Sequence, residues 1–271
     1  MSDLDLQKPI SPDLYTEEYF RTACEGYDEF NESEGVHLSR RLNQAFALAE
    51  VTPGMNVLDV GCGRGEILRH CAYLGANAYG IDYAEVAVRM SQDVLDKLDD
   101  DVPGHGGVAL SDAKKLPFPD HFFDRVLMFD VVEHLHPWEL HLALLEVKRV
   151  LKPRGMFVVH TAPNIWYDRY AYPVVRTVRT LLGEGDLYPA NPRQFLVDVN
   201  EHVHVNEQSL LSMYQTLSRA GFTAKVWLDS PPQNRTESVM LAGLRRLAFK
   251  TVPLRWFFDR EVFAVATPRP E

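Results

Sequence analysis

Hydrophobic residues along the chain follow two alternating spacings, one typical of buried strands and one typical of helices that cover a sheet. Short apolar runs predict seven strands, at 55–60, 76–82, 108–110, 125–129, 156–160, 223–228 and 261–266. Apolar residues at helical spacing predict helices over 36–50, 67–72, 87–98, 140–151 and 210–217. Strands that alternate with helices predict an α/β fold on a mostly parallel sheet, with its chemistry at the carboxyl ends of the strands.

Three segments fall outside this alternation. Residues 1–35 are acidic and aromatic and predict short helices that act as an N-terminal lid. Residues 161–205, rich in Pro, Tyr and Asn, and residues 230–259 predict insertions that cap the substrate pocket. The predicted organisation is therefore a lid over 1–35 and one main domain over 36–271.

The composition narrows the class of partner. A formal charge of −10 and a pI near 5.5 argue against nucleic-acid binding, which needs clustered Lys and Arg. Three cysteines without paired spacing indicate a reducing compartment, and no secretion signal or membrane-spanning run is recognisable. We expect a cytoplasmic protein that acts on a small molecule, while the sequence does not indicate its oligomeric state.

A glycine cluster follows the first predicted strand. Gly61, Gly63 and Gly65 let the backbone approach a ligand that any Cβ would exclude, although glycines can also simply make a tight turn. The dinucleotide fingerprint G-x-G-x-x-G requires glycine where this chain has Glu66, which disfavours NAD.

Acidic residues follow several of the predicted strands. Asp82 can accept hydrogen bonds from ribose hydroxyls, Asp112 from an adenine amine, and Asp59 can face an ammonium group. Together with Asp130, these carboxylates suit a cofactor that carries a sulfonium and an ammonium. The same carboxylates would repel the pyrophosphate of a dinucleotide.

The segment Val57–Gly65 resembles the first motif of the class I S-adenosylmethionine-dependent methyltransferases. The resemblance continues through 80–82, 111–118, 123–129 and 150–156, and covers about residues 50–160. It implies a Rossmann-like seven-stranded sheet with helices on both faces and an antiparallel last strand. It also implies a set of cofactor-binding residues: Asp59, Gly61, Cys62, Gly63, Gly65, Asp82, Tyr83, Asp112, Ala113 and Phe129. For Cys62 we predict packing rather than nucleophilic attack, because no base lies beside it in the sequence.

Candidate catalytic residues lie after the fourth strand, where Glu133 and His134 are joined by the later His204. With Asp130 and His202 they resemble the Glu-x-x-Glu-His signature of methyltransferases in which carboxylates and histidines hold a divalent metal. The chain departs from that signature by having Asp130 at its first position. We favour proton removal by a histidine over metal catalysis, and a purely structural role for His134 is equally open.

The predicted function is methylation of a hydroxyl on a small molecule, a sugar or glycan, or a lipid-linked intermediate. An NAD-dependent enzyme and a non-catalytic cofactor-binding module are the alternatives. The aromatic residues Trp166, Tyr167, Tyr170 and Tyr172 are predicted to form a pocket wall. Apolar and basic residues alternate over 244–258, which fits peripheral contact with a membrane or a lipid-linked substrate, or an ordinary core or oligomer helix.

Overall fold

A computed structural model describes residues 7–192, 203–230, 243 and 251–270. Seven strands form one sheet in the order β3-β2-β1-β4-β5-β7-β6. They are β1 (Asn56–Val60), β2 (Asn77–Asp82), β3 (His105–Leu110), β4 (Phe123–Phe129), β5 (Leu151–Thr161), β6 (Phe222–Asp229) and β7 (Glu261–Pro268). Strand β7 pairs antiparallel with both of its neighbours and the other pairs are parallel, which confirms the predicted sheet.

Helices cover both faces of this sheet. They are α1 (Glu17–Thr22), α2 (Tyr27–Ser33), α3 (Arg40–Ala47), α4 (Glu66–Tyr73), α5 (Glu85–Leu95), α6 (Pro137–Val150), α7 (Tyr172–Leu181), α8 (Leu210–Arg219) and α9 (Arg255–Phe258). The apolar sides of α6 and α8 form one core with one sheet face, and those of α3 and α4 form a second core with the other. None of the helices within the described ranges has the length and apolar content needed to span a bilayer.

Strand β5 begins five residues earlier than its apolar run predicts. Leu151, which helical spacing assigns to α6, pairs instead with Phe123, and the register then shifts before Met156 pairs with Arg125. The irregularity contains Pro153, which has no N–H to give to a regular ladder. Polar and proline residues therefore conceal the start of the strand.

The segments outside the alternating pattern gather where the strands end. Aromatic side chains of the N-terminal segment, among them Tyr15, Phe20 and Phe30, pack against α5. Helix α7 follows β5, and α9 precedes β7. Parts of both predicted insertions, including residues 193–202, 231–242 and 244–250, lie outside the described residues.

Candidate functional site

A cavity of about 340 Å³ lies at the carboxyl ends of β1, β2 and β4. Its volume is typical of small-molecule sites. The predicted cofactor residues that border it are Asp59, Gly61, Cys62, Gly63, Asp82, Tyr83, Asp112, Ala113 and Phe129. Gly65 is not among the described bordering residues. The structure thus brings nearly the whole predicted set to one place.

The three loop glycines serve different purposes. A Cβ at Gly61 would come within 2.4 Å of Val131, and one at Gly65 within 2.8 Å of the Ser91 backbone, so these two allow close packing. Gly63 has a positive φ of 52°, and an added Cβ would meet only the Phe20 ring, at 3.6 Å. Of these glycines, Gly63 is the one whose missing side chain leaves open space at the cavity.

Two buried carboxyl groups border the cavity beside this loop. Asp82 accepts hydrogen bonds from the amides of Gly63 (3.1 Å) and Ala84 (2.9 Å), which oppose the effect of burial and leave its pKa raised to about 6. Burial, helped by the charges of Glu66 and Asp82, raises the pKa of Asp59 to about 8. A cationic ligand would favour the ionised form of both groups, so the residues fit a sulfonium and ammonium cofactor.

Asp112, which follows β3, also borders the cavity and is half exposed. Its carboxylate accepts from the backbone amide of Lys114 at 2.9 Å and lies 2.9 Å from the ammonium of the same residue. Lys114 in turn bonds Glu139 at 2.7 Å. The carboxylate is therefore held in place at the end of β3, where the adenine contact is predicted.

Cys62 is buried beneath the loop. Its Sγ lies 3.4 Å from the hydroxyl of Ser91, and burial raises the pKa of its thiol well above the ordinary value. The thiol is uncharged at neutral pH and packs against the helix, which fits the predicted packing role.

The three predicted catalytic residues come together although His204 is distant in sequence. Potential ligand atoms of Glu133, His134 and His204 all lie within 4.8 Å of one another. The backbone explains this convergence, because the Glu133 carbonyl accepts from the amides of Val205 (2.8 Å) and Asn206 (3.1 Å). Of the three, His134 borders the cavity. His202 lies outside the described residues.

The pKa values of Glu133 and His134 are shifted in opposite directions from their ordinary values. Burial and the charge of Asp130 raise the pKa of Glu133 to about 7, while burial and His204 lower that of His134 to about 3. The Nδ1 of His134 lies 3.1 Å from the Val203 carbonyl, which can only accept, so Nδ1 carries the proton. Nε2 of the neutral ring is left to accept a hydrogen bond, and the same ring also anchors its loop.

Asp130 occupies a different place from the one that the sequence pattern suggests. Instead of joining Glu133 and His134 in one ligand cluster, its carboxylate lies 2.9 Å from His160 Nδ1 and 3.5 Å from Arg41 Nη1. Burial would raise the pKa of Asp130, but the charges of His160 and Arg41 outweigh it and hold the pKa well below its usual range. Asp130 also has a positive φ of 53°, which turns the chain away from β4.

The N-terminal segment covers the cavity and is fastened to the cofactor loop by Arg64. This guanidinium is almost fully buried, donates to the Phe20 carbonyl at 2.8 Å and pairs with Glu66 at 2.7 Å. The Tyr15 hydroxyl lies 3.2 Å from His134 Nδ1. Nothing in the sequence indicates this role of Arg64, because an arginine between glycines gives no sign that it is buried.

The aromatic cluster of residues 166–172 is not a wall of the cavity. Trp166 stacks on Phe257 with ring centroids 5.5 Å apart, and Tyr170 meets the same ring edge-on. They line a separate groove with α9, and none of the four aromatic residues is among the described residues that border the cavity. Trp166 and Tyr170 therefore form the wall of a groove apart from the cofactor cavity, because composition cannot show which side of an insertion its aromatic residues face.

Comparisons with known proteins agree with this geometry. Residues 58–159 match the family described as "Methyltransferase domain". The ubiquinone/menaquinone biosynthesis C-methyltransferase UbiE of Paraburkholderia phytofirmans is 30% identical over 213 residues, which cover 72% of this chain and 80% of the relative. The corresponding UbiE of Bordetella avium is 36% identical over 173 residues, 58% of this chain and 63% of the relative.

Solved structures share the fold at lower identity. A cyclopropane synthase from Mycobacterium tuberculosis has a TM-score of 0.59 at 16% identity, covering 96% of this chain and all of the other. A geranyl diphosphate methyltransferase crystallised with S-adenosylmethionine has a TM-score of 0.55 at 18% identity, covering 90% and 91%.

The sequence matches exclude both alternatives, because the relatives are methyltransferases rather than NAD enzymes or silent binding modules. The glycine loop, the buried carboxyl groups and the sheet order point the same way. The chain therefore belongs to the class I S-adenosylmethionine-dependent methyltransferases and uses S-adenosylmethionine as its cofactor.

Proposed function

We propose that this enzyme methylates a hydroxylated aromatic small molecule, a phenol or a quinol, after His134 removes the proton of the hydroxyl. The observation that carries the proposal is the half-buried imidazole of His134 at the border of the cavity, whose Nδ1 is held by the Val203 carbonyl and whose Nε2 is left to accept a proton. The names of the relatives, which refer to ubiquinone and menaquinone biosynthesis, support an acceptor of this type.

The lining of the cavity favours a flat, largely apolar acceptor. Tyr15 contacts His134, and Tyr19, Phe20, Ile10 and Leu42 also line the cavity. Aromatic side chains of this kind stack well on a ring. A sugar, which the sequence leaves open, would need a hydrogen-bonding partner for each buried hydroxyl, and this part of the lining offers few.

The protein mainly orients the acceptor and removes its proton, because methyl transfer is a displacement that needs alignment. Bound S-adenosylmethionine supplies the methyl group on a positively charged sulfur. His134 Nε2 accepts the hydroxyl proton, and the anionic Asp130 stabilises the imidazolium that results. The phenolate is nucleophilic at oxygen and at ring carbon, so the orientation of the ring decides between O-methylation and C-methylation.

The cofactor-binding roles form part of the same proposal. The loop at Gly61–Gly63 cradles the methionine part, Asp82 binds the ribose hydroxyls and Asp112 the adenine amine. Asp59 faces the ammonium, and Tyr83 and Phe129 border the rest of the cavity.

An acceptor panel tests the function. Purified enzyme is incubated with S-adenosylmethionine and a simple catechol, a quinol or a sugar, and products are identified by mass spectrometry and NMR. We expect methylation of the aromatic hydroxyl compounds only, with NMR distinguishing a methoxy from a ring methyl group. Turnover of the sugar alone would refute the proposal.

Asp82→Ala is expected to weaken S-adenosylmethionine binding by about 1–3 kcal/mol, because the ribose hydroxyls lose a charged acceptor. Isothermal titration calorimetry measures the change. Asp93→Ala, an exposed aspartate on α5, is the matched control and is expected to bind normally. Unchanged affinity in the Asp82 variant would remove Asp82 from the cofactor site.

The affinity for S-adenosylmethionine is expected to rise about twentyfold between pH 6 and pH 7.5, because Asp59 with a pKa of about 8 must ionise to face the ammonium. Asp59→Asn is expected to flatten this rise. 5′-Methylthioadenosine, which lacks the amino-acid part, should bind with little change over the same range. An equally steep rise for both ligands would contradict the role of Asp59.

Ionisation of Asp59 strengthens cofactor binding but destabilises the fold of the ligand-free protein. The pKa of Asp59 is raised above its unfolded value of about 3.9, so the ligand-free fold loses stability as pH rises from about 4 to 8. Asp59→Asn should therefore melt at a higher temperature than wild type at pH 8 without cofactor.

The N-terminal segment and the insertion at 161–205 are expected to order as a lid when ligand binds. Hydrogen exchange in both should slow when S-adenosylhomocysteine is added, whereas α8, which packs on the edge strand β6, should be unaffected. Arg64→Ala should diminish this protection in residues 7–35, because it removes the link to the Phe20 carbonyl. Identical exchange with and without ligand would show that the segments form no lid.

A further inference from the structure

The loop after β3 holds an ammonium group between two acids at the border of the cofactor cavity. The Nζ of Lys114 lies 2.9 Å from Asp112 Oδ2 and 2.7 Å from Glu139 Oε1. It also stands 5.6 Å from the centre of the Trp138 ring, which lies beside Glu139 in the first turn of α6. Asp112, Lys114 and Glu139 all border the cavity. The ammonium therefore joins the loop after β3 to the start of α6.

Glu139 fixes the ammonium from inside the protein. Its side chain is 2% exposed, and its second oxygen accepts from the His136 amide at 3.2 Å. Burial lowers the pKa of Lys114, but hydrogen bonds to Asp112 and Glu139 outweigh it and raise that pKa above its ordinary value. An ion pair between exposed side chains is weak and loosely held, whereas separating a lysine from a buried acid leaves that charge uncompensated. Lys114 therefore keeps its position.

Lys114 in turn holds both oxygens of the Asp112 carboxylate. The backbone amide of Lys114 donates to Oδ1 at 2.9 Å, and the ammonium of the same residue contacts Oδ2. The side chain of Asp112 is 49% exposed, so packing alone would not fix it. Each carboxylate oxygen can accept two hydrogen bonds, so both retain the capacity to accept one from a ligand.

We propose that Lys114 makes the cofactor site selective for adenine over a 6-oxo purine such as hypoxanthine. A carboxylate fixed opposite the six-position of the base accepts from the adenine amine and repels the oxygen of hypoxanthine. A mobile carboxylate would turn to the N1–H of hypoxanthine and bind both bases. Lys114 is a positioning residue, because it acts through Asp112. The inference rests on the adenine contact proposed above for Asp112 and is independent of the acceptor.

Calorimetric titration with S-adenosylhomocysteine and its 6-oxo analogue S-inosylhomocysteine tests the selectivity. Wild type is expected to prefer the adenine compound by about tenfold or more. Lys114→Met should weaken S-adenosylhomocysteine binding about fivefold and leave S-inosylhomocysteine binding unchanged or tighter, because the released carboxylate adapts to either base. A loss of packing alone would weaken both ligands to the same extent. Lys115→Met, at the exposed neighbouring lysine, is the matched control and should keep the preference of wild type.

A second variant keeps the test valid if the first does not fold. Lys114→Met leaves Glu139 buried without its partner, whereas Lys114→Met with Glu139→Gln removes both charges and keeps an acceptor for the His136 amide. This double variant should show the same reduced preference, and circular dichroism verifies its fold.

Asp112→Ala distinguishes the role of Lys114 from the adenine contact itself, and is expected to abolish the preference. If Asp112→Ala abolishes the preference while the folded Lys114 variants retain it, the role of Lys114 is overturned and the adenine contact stands. Equal affinity of wild type for the two ligands would overturn the adenine contact of Asp112 and the role of Lys114 together.

Discussion

Replacement of Gly63 by valine is expected to weaken S-adenosylmethionine binding by more than about a hundredfold, ~3 kcal/mol, while the protein still folds. Gly63 has a φ of 52°, and an added Cβ there would stand 3.6 Å from Phe20 at the cavity border. A branched side chain would fill the space proposed for the methionine part, and its backbone conformation would be unfavourable. Calorimetric titration measures the loss, and circular dichroism verifies the fold.

The control separates backbone strain from a filled cavity. Gly54 also has a positive φ, 80°, but a Cβ there would meet nothing within 4 Å. Gly54→Val therefore introduces similar strain away from the site and is expected to bind the cofactor normally. Normal titration by the Gly63 variant would show that the loop does not contact the cofactor.

Turnover is expected to fall about a hundredfold or more when His134 is replaced by alanine and assayed at saturating cofactor. The imidazole borders the cavity, and in the ring described above Nε2 is the nitrogen left to accept a proton. Cofactor affinity should change far less, which calorimetry on the same protein checks. His204→Ala should lower turnover less, because His204 is not among the described residues that border the cavity.

Chelation distinguishes a base from a metal ligand. Glu133, His134 and His204 offer ligand atoms close enough to hold a divalent ion. If His134 acts as a base, activity should survive chelator treatment and gain nothing from magnesium, manganese or zinc. His141→Ala, at an exposed histidine of α6, is the matched control for the turnover of the His134 and His204 variants. Full activity in both the His134 and His204 variants would leave the cluster with a structural role only.

The fold and the cofactor cavity were predictable because the sequence patterns that indicate them each lie within a short stretch of the chain. Each strand and helix of the central sheet has its own apolar spacing, and the glycine loop directly follows the strand that ends at Val60. Asp59, Asp82 and Asp112 each follow or end a predicted strand, so the topology alone brings them to one edge. Strand β5 shows the limit, because Pro153 and its polar neighbours hide the irregular pairing with β4.

The acceptor side depends on contacts between distant residues, which a single sequence does not reveal. Arg41 reaches Asp130 from a helix that precedes the whole sheet, and Tyr15 reaches His134 from the N-terminal segment. Neither pair has a shared motif or fixed spacing. Adjacency along the chain places Asp130 in the ligand cluster of Glu133 and His134 for this reason, whereas tertiary packing puts its carboxylate beside Arg41 and His160.

The order of functional groups along the chain divides the enzyme into two portions. The groups proposed to hold the cofactor are concentrated between Asp59 and Ala113, whereas the proposed acceptor side is formed by aromatic residues of the N-terminal segment, before β1, and by His134, after β4. A chimera that keeps the cofactor portion and takes both the N-terminal segment and the loops after β4 from a relative is expected to retain its methyl donor and acquire a new acceptor preference. The second boundary for such an exchange lies within β4, whose buried backbone pairs with β1 on one side and β5 on the other.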